Sequence, residues 1–472
     1  MKILYVASEA APFSASGGLG DVIGSLPAAV SEEGIECTVI TPLYKSIDKK
    51  HRERFELLMN ISFNLVWRKS GASVYMLKEN GVRYLFIENH YYFDRDRLYG
   101  EFDDAERFAF FSRAVVEYIL KSGDVPDVLH ANDWQAAPVI IYLKTEYAHV
   151  KLLKKIKTVY TVHNIEYQGK FDPYILGDVF GIDVKYLPIV EYDGALNLMK
   201  GALVSTDFIT TVSPNYANEL EYDFFAFGLS EVIRAQKSKL SGVINGIDYA
   251  YFSPEIGGDI YKSYDLKTLF KGKAENKKAL RLDLGLPSVE RPMLVMITRL
   301  TAGKGIELVL HILEELLSLN LEIVILGSGE KEYERRLFSL SKRHENLVAI
   351  MKFDRVLSKK LYAAADIFLM PSKSEPCGLA QMIACSYGAV PIVRSVGGLF
   401  DSIKPYGTEG GNGFRFDNYN AHELLFTVKE ALALYENKEK WQELVASAKA
   451  SDFSWNNSAA KYIAIYNNLL KC

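Results

Sequence analysis

Apolar positions along this chain fall in short β-branched runs, separated by longer stretches in which apolar residues recur at helical spacing. In the first half the runs at 2–7, 37–41, 83–87, 127–130, 157–162 and 208–212 predict strands. Strands alternating with helices predict a parallel α/β sheet. The glycine-bearing turn Ser241-Gly242-Val243-Ile244-Asn245-Gly246-Ile247-Asp248, followed by Pro254, Gly257 and Gly258, breaks that rhythm and predicts an inter-domain hinge. A second series of strands follows at 293–298, 321–326, 347–351, 366–370 and 390–393, with helices over 305–317 and 331–341, so the second half predicts another doubly wound sheet. The final segment, 454–470, carries Ala459, Tyr462, Ile463, Ile465, Tyr466 and Leu469 on one helical face, which must dock and can cross back onto the first domain.

Composition narrows the function classes. The chain has 472 residues, 49% of them hydrophobic and 24% charged, which suits about two to four globular domains. A formal charge of -4 offers no basic face for nucleic acid. Cys37, Cys377, Cys385 and Cys472 form no C-x-x-C pair, so neither a zinc site nor a disulfide framework is expected, and a cytoplasmic setting is. The apolar run after Met1-Lys2 is too short for a secretory leader, and no run approaches the roughly 20 apolar residues of a membrane span.

The candidate chemistry lies where predicted strands end. Gly-Gly-Leu-x-Asp occurs twice, at Gly17-Gly18-Leu19-Gly20-Asp21 and Gly397-Gly398-Leu399-Phe400-Asp401, and each copy predicts a loop where amide N–H groups and a helix start approach phosphate. The first copy resembles a dinucleotide fingerprint only superficially: its third glycine comes one residue late, and the second strand ends Thr41-Pro42-Leu43 without an acid for a ribose. A tight turn without a ligand is the alternative. Arg299 and Lys304, five residues apart at a strand end, suit a diphosphate clamp or else a solvated basic turn. Glu375, fixed by Pro376 after the apolar strand 367–370, suits a carboxylate beside a sugar ring or a charge at a helix start, and the Gly378 region then opens a helix that can face a nucleotide. His163 ends the strand 158–162, and could equally be a core histidine; Asp133, beside Trp134, suits sugar hydroxyls or a helix cap.

Taken in order, these segments resemble bacterial glycogen synthases and plant starch synthases. The resemblance runs nearly end to end, through Ser8 to Phe13, Gly17 to Val22, Leu98 to Gly100, Arg107-Phe108, His130 to Trp134, Thr161 to Gly169, Asn197 to Lys200, Thr211 to Ala217, Asn245 to Asp248, Arg299 to Thr301, Glu375 to Gln381 and Asp452 to Trp455. It implies the GT-B architecture, two Rossmann-like doubly wound domains facing a central cleft: 1–245 with the C-terminal helix 454–472, and a nucleotide-sugar domain at 246–453. It further implies a retaining glucosyltransferase that moves glucose from ADP-glucose to the non-reducing end of an α-1,4-glucan such as glycogen, with no metal and no cofactor. A UDP-glucose-dependent synthase and a non-catalytic glucan- or nucleotide-binding homologue are the alternatives.

By that resemblance Arg299 and Lys304 hold the donor diphosphate, and Glu375 and His163 serve the transfer itself. Asp133 meets the sugar, Gly17 and Gly18 approach the phosphates, and Phe353 stacks on the base. Ala15, Asn245 and the run Cys377, Gly378, Leu379 and Ala380 are further substrate-binding positions. The chain departs from the family pattern at Ala15, where a phosphate-binding lysine is common, and at Lys352, where glycine is common. Asn132 and Gln135 stand where histidines often flank the Asp-Trp pair, while Ile383, eight residues after Glu375, matches the family's lack of a second glutamate.

Overall fold

The computed structural model describes residues 1–287 and 289–471, and Cys472 lies outside them. They form two units, residues 1–246 with 455–471 and residues 247–454.

The first unit is built on nine strands: β1 (Lys2–Val6), β2 (Glu36–Pro42), β3 (Glu56–Leu65), β4 (Arg68–Glu79), β5 (Val82–Glu88), β6 (Val128–Asn132), β7 (Lys157–Val162), β11 (Phe208–Thr211) and β12 (Leu240–Gly242). A separate small sheet holds β8 (Lys170–Phe171), β9 (Glu191–Tyr192) and β10 (Ala195–Asn197). The main sheet has the order β12-β11-β7-β6-β1-β2-β5-β4-β3. Its strands from β12 to β5 are parallel, and β3 and β4 add an antiparallel hairpin at one edge. The parallel strands are apolar because helices cover both faces; β3 instead alternates, with Ile61, Phe63 and Leu65 buried and their neighbours exposed. The pattern-based strands omitted β3, β4, β12 and the small sheet. Residues 241 and 242, expected in the hinge, complete the edge strand β12, and the units divide after Gly246.

The helix Trp455–Lys471 belongs to this unit, and Trp455, Ser458, Ala459, Tyr462 and Tyr466 form its buried stripe. It packs on the helix Gly18–Glu32. His130, the middle residue of β6, holds it there: Nδ1 meets Tyr466 Oη at 2.8 Å and Nε2 meets Thr161 Oγ1 at 2.5 Å. Burial lowers the His130 pKa to about 3, so the ring is neutral and structural.

The second unit holds β13 (Met293–Ile297), β14 (Glu322–Leu326), β15 (Leu347–Ile350), β16 (Ile367–Met370), β17 (Val390–Arg394) and β18 (Phe414–Phe416), all parallel, in the order β15-β14-β13-β16-β17-β18. Numbered within the unit this is 3-2-1-4-5-6, the doubly wound dinucleotide-domain order. The helix expected over 305–317 is two short helices, Ile306–His311 and Leu313–Ser318, broken at Ile312. Among the described residues no helix is long and apolar enough to cross a membrane, and no cluster of His, Cys, Asp and Glu could hold a metal ion.

Candidate active site

In an open parallel sheet, loops diverge where consecutive connections leave in opposite directions, and the crevice beyond those strand ends is where ligands bind. In the first unit that point lies between β1 and β6, and in the second between β13 and β16. Most of the residues singled out from sequence gather near these two points, whereas Phe353 and Asn245 follow the edge strands β15 and β12.

In the second unit β13 runs into Arg299, which is exposed, and then into the turn Ala302–Lys304. Gly305 follows with φ +73°, and a Cβ there would stand 2.0 Å from Pro371 O, so only glycine lets this turn press against the loop after β16. That approach puts Lys304 Nζ 2.7 Å from Glu375 Oε2, with side chains 20% and 9% exposed. Ser372 Oγ donates to the same oxygen at 2.9 Å. Both partners sit on Oε2, which leaves Oε1 to accept from a ligand hydroxyl. A lysine and a carboxylate at this strand junction, with Arg299 on the same loop, can meet a diphosphate and a sugar.

Cys377, Gly378, Leu379 and Ala380 continue the Glu375 loop into the helix Ala380–Ser386, whose Gln381 Nε2 ties back to Cys377 O, Gly378 O and Ser402 Oγ. Beneath this loop lies the second Gly-Gly-Leu-x-Asp. A Cβ on Gly397 would stand 2.0 Å from Glu375 O, one on Gly398 would stand 2.1 Å from Cys377 O, and Gly398 N donates to Glu375 O and Pro376 O. The expectation of a phosphate-facing loop is therefore corrected here. These glycines are spent on holding the Glu375 loop from behind. Phe353 stands apart, beyond β15, with its side chain 80% exposed and the Arg355 guanidinium 5.8 Å from its ring centre; Lys352 pairs with Asp354 at 2.7 Å.

In the first unit, β1 leads through Glu9 to the exposed Ala15, Gly17 and Gly18. Glu9 is buried and organises that loop: Oε1 accepts from Ser16 Oγ at 2.7 Å and Tyr99 Oη at 2.5 Å, while Oε2 accepts from Ser16 N. Gly17 and Gly18 contrast with the second copy. A Cβ on either meets nothing within 4 Å, Gly17 has an extended φ of -172°, and no side chain caps the helix Gly18–Glu32. Nothing inside the unit requires glycine at 17 or 18, which leaves the uncapped amide end open to an anion.

The neighbouring strand ends carry the polar set. Asp133 has φ +56°, in the left-handed region, and its Oδ1 accepts from His163 N at 2.8 Å. Its surface is half-buried, yet enough protein surrounds the carboxyl that burial raises its pKa to about 7, against the backbone N–H groups of His163 and Asn164 that lower it; the charge of Glu9 raises it further. Asn132 Nδ2 donates to His130 O at 3.1 Å and to Val6 O at 3.4 Å, which turns Oδ1 toward His163 Nε2 at 2.9 Å. The imidazole therefore donates from Nε2 and keeps Nδ1 as an acceptor, and burial lowers its pKa to about 3. Trp134 is buried between Phe108 and Phe171, with ring centres 5.2 and 5.7 Å away. Asn245, just beyond β12, is buried, and among the described residues its Oδ1 has no hydrogen-bond partner.

Sequence reasoning missed Ser372, the Glu9, Ser16 and Tyr99 cluster, and the tautomer-setting role of Asn132. Tyr99 lies 90 residues from Glu9, so no local spacing betrays that pair.

Comparison with known proteins follows the same lines. Residues 2–235 match the starch synthase catalytic domain, and residues 284–447 match glycosyl transferases group 1. A glycogen synthase of Exiguobacterium sibiricum is 43% identical over 99% of this chain and 98% of its own length, and one of Clostridium beijerinckii is 44% identical over 99% of both. The catalytic domain of starch synthase IV from Arabidopsis thaliana, solved bound to ADP and acarbose, superposes with a TM-score of 0.91 at 34% identity, covering 100% of this chain and 99% of that one. Sucrose-phosphate synthase from Thermosynechococcus elongatus shares the fold alone, with a TM-score of 0.62 at 16% identity over 100% of this chain and 99% of its own. With full-length relatives at this identity and both α/β units matched, the chain belongs to the glycogen synthase and starch synthase family of GT-B glucosyltransferases.

Proposed function

We propose that this protein transfers glucose from ADP-glucose to the 4-hydroxyl at the non-reducing end of an α-1,4-glucan, retaining configuration at C1. The observation that carries the reading is the Lys304 to Glu375 pair beside Arg299 at the β13/β16 junction. Arg299 and Lys304 neutralise the charge that grows on the diphosphate as the C1–O bond breaks. Glu375 offers Oε1 to a hydroxyl of the donor sugar. The acceptor oxygen bonds to C1 on the face the diphosphate leaves, and its proton passes to a diphosphate oxygen. His163, neutral across the physiological range, places no positive charge beside a ring carbon that is itself becoming cationic.

ADP and acarbose in the related Arabidopsis catalytic domain support the adenine nucleotide and the glucan class. Phe353 is the ring offered to the base, while Gly17, Gly18, Asp133, Asn245 and the 377–380 run complete the donor and acceptor contacts. The buried thiols of Cys37 and Cys385, neither of them in a disulfide, support a reducing, cytoplasmic setting. The decisive assay compares ADP-glucose with UDP-glucose as donors for glycogen extension. We expect kcat/KM at least roughly tenfold higher for ADP-glucose, a difference of about 1.4 kcal/mol in transition-state binding. Equal or better use of UDP-glucose would overturn the donor assignment, and full activity in Glu375→Ala would overturn the site.

A further inference from the structure

The hairpin between β3 and β4 closes through two residues, Val66 and Trp67, with Leu65 paired to Arg68. Two-residue hairpin turns whose first central residue has positive φ are normally glycine turns. Val66 has φ +59°, which is unfavourable for a β-branched side chain. Trp67 follows it with its side chain 73% exposed at the tip. Broken local rules of this kind concentrate at functional positions.

The indole is also fixed in place. Trp67 Nε1 donates to Asp178 Oδ1 at 3.1 Å, and Arg68 Nη2 donates to Asp178 O at 3.3 Å. Arg68 Nη1 lies 3.4 Å from Glu106 Oε2, and its guanidinium sits 5.2 Å from the Trp67 ring centre. Asp178 ends the one-turn helix Ile175–Asp178, which Tyr174 precedes with 93% exposure. One exposed ring therefore contacts the Asp178 carboxylate, and a second, Tyr174, lies four residues before it in the chain, about one helical turn.

We propose that Trp67 and Tyr174 form a glucan-holding platform outside the β1/β6 group, stacking on the apolar faces of glucose rings while Asp178 and Arg68 bond their hydroxyls. A pyranose ring pairs an apolar face with a rim of hydroxyls, which matches an immobilised indole set among charged groups. A protein partner would call for a broader apolar centre than one ring with a charged border. Holding the polymer away from the reacting end keeps new chain ends at high local concentration. The inference rests on the acceptor being an α-glucan.

The test is affinity electrophoresis of the full-length protein through gels containing glycogen, with light scattering and with extension of maltotriose as a small acceptor. Trp67→Ala should weaken glycogen binding roughly tenfold, and Tyr174→Ala severalfold, with kcat on maltotriose unchanged. Trp67→Phe should retain most binding, and Val66→Gly, which relieves the backbone, all of it. Wild-type mobility of Trp67→Ala in glycogen overturns the platform while leaving the glucosyltransferase reading intact. Loss of self-association in Trp67→Ala with glycogen binding retained reassigns the tip to a contact between copies and also overturns it. A wild-type protein that neither binds nor extends glycogen overturns both readings.

Discussion

Replacing Lys304 by methionine removes the cation paired with the sheltered Glu375 carboxylate, and its effect divides into a structural part and a chemical part. Breaking a fully buried ion pair from one side costs ~3–5 kcal/mol. Lys304 keeps 20% of its side chain in solvent and Ser372 Oγ still donates to Glu375, so ~2–3 kcal/mol is the appropriate range here. For a unit spanning residues 247–454 each kcal/mol moves Tm by roughly 2–4 °C, so calorimetry on Lys304→Met should show a fall of about 5–10 °C. Glu375→Gln should cost less, because a neutral amide oxygen still accepts from the lysine. The double variant removes both charges and should recover at least ~1.5 kcal/mol relative to the sum of the two singles. Glucan extension should not recover, since Lys304 is assigned to the departing diphosphate and Glu375 to the donor sugar. Stability losses that add within ~0.5 kcal/mol would refute the coupling inferred from the 2.7 Å contact. Recovery of kcat together with stability would refute the separate roles.

His130 and His163 both have pKa values lowered to about 3, so between pH 6.5 and 3 the unfolded chain binds protons that the folded one does not, and stability should fall as pH falls through that window. From pH 7 to pH 5 the loss should be about 2 kcal/mol per histidine, read by urea melts at each pH, and a histidine already protonated in the fold would leave the profile flat. The two Gly-Gly copies should respond differently to alanine: Gly398→Ala should destabilise the second unit by more than ~2 kcal/mol through collision with Cys377 O, whereas Gly18→Ala should leave Tm within about 1 °C and raise KM for the donor. Equal thermal effects in a fluorimetric melt would contradict that contrast. Tyr466→Phe should cost ~1–2 kcal/mol by leaving His130 Nδ1 without its partner, measured as a shift in urea midpoint.

The parallel strands were legible because a strand covered on both faces must be apolar throughout, as Ile323 to Leu326 are. The β3/β4 hairpin was not, because Val66 and Trp67 carry none of the usual turn residues and β3 alternates weakly at its exposed start. Glu375 and His163 could be singled out since each follows an apolar run into a strand end, the place where open sheets bind ligands. What could not be read is which groups touch. Ser372 looks like loop filler until Gly305 brings the Lys304 turn against Pro371, and the second Gly-Gly copy looks like a phosphate loop until its amide is found donating beneath Glu375. Both depend on tertiary approach, and a linear pattern carries no information about it.

The helix Trp455–Lys471 completes the first unit from a stretch of chain made only after the whole of the second unit. The intervening unit, residues 247–454, has all of its own strands before that helix is made, so it can complete folding while the earlier unit still waits. Until then the groove over the helix Gly18–Glu32 and the ring of His130 remain uncovered, an apolar surface exposed for the whole time needed to synthesise some two hundred further residues. A chain cut short just before Trp455 would thus damage the unit that begins at residue 1 rather than the one that precedes the cut.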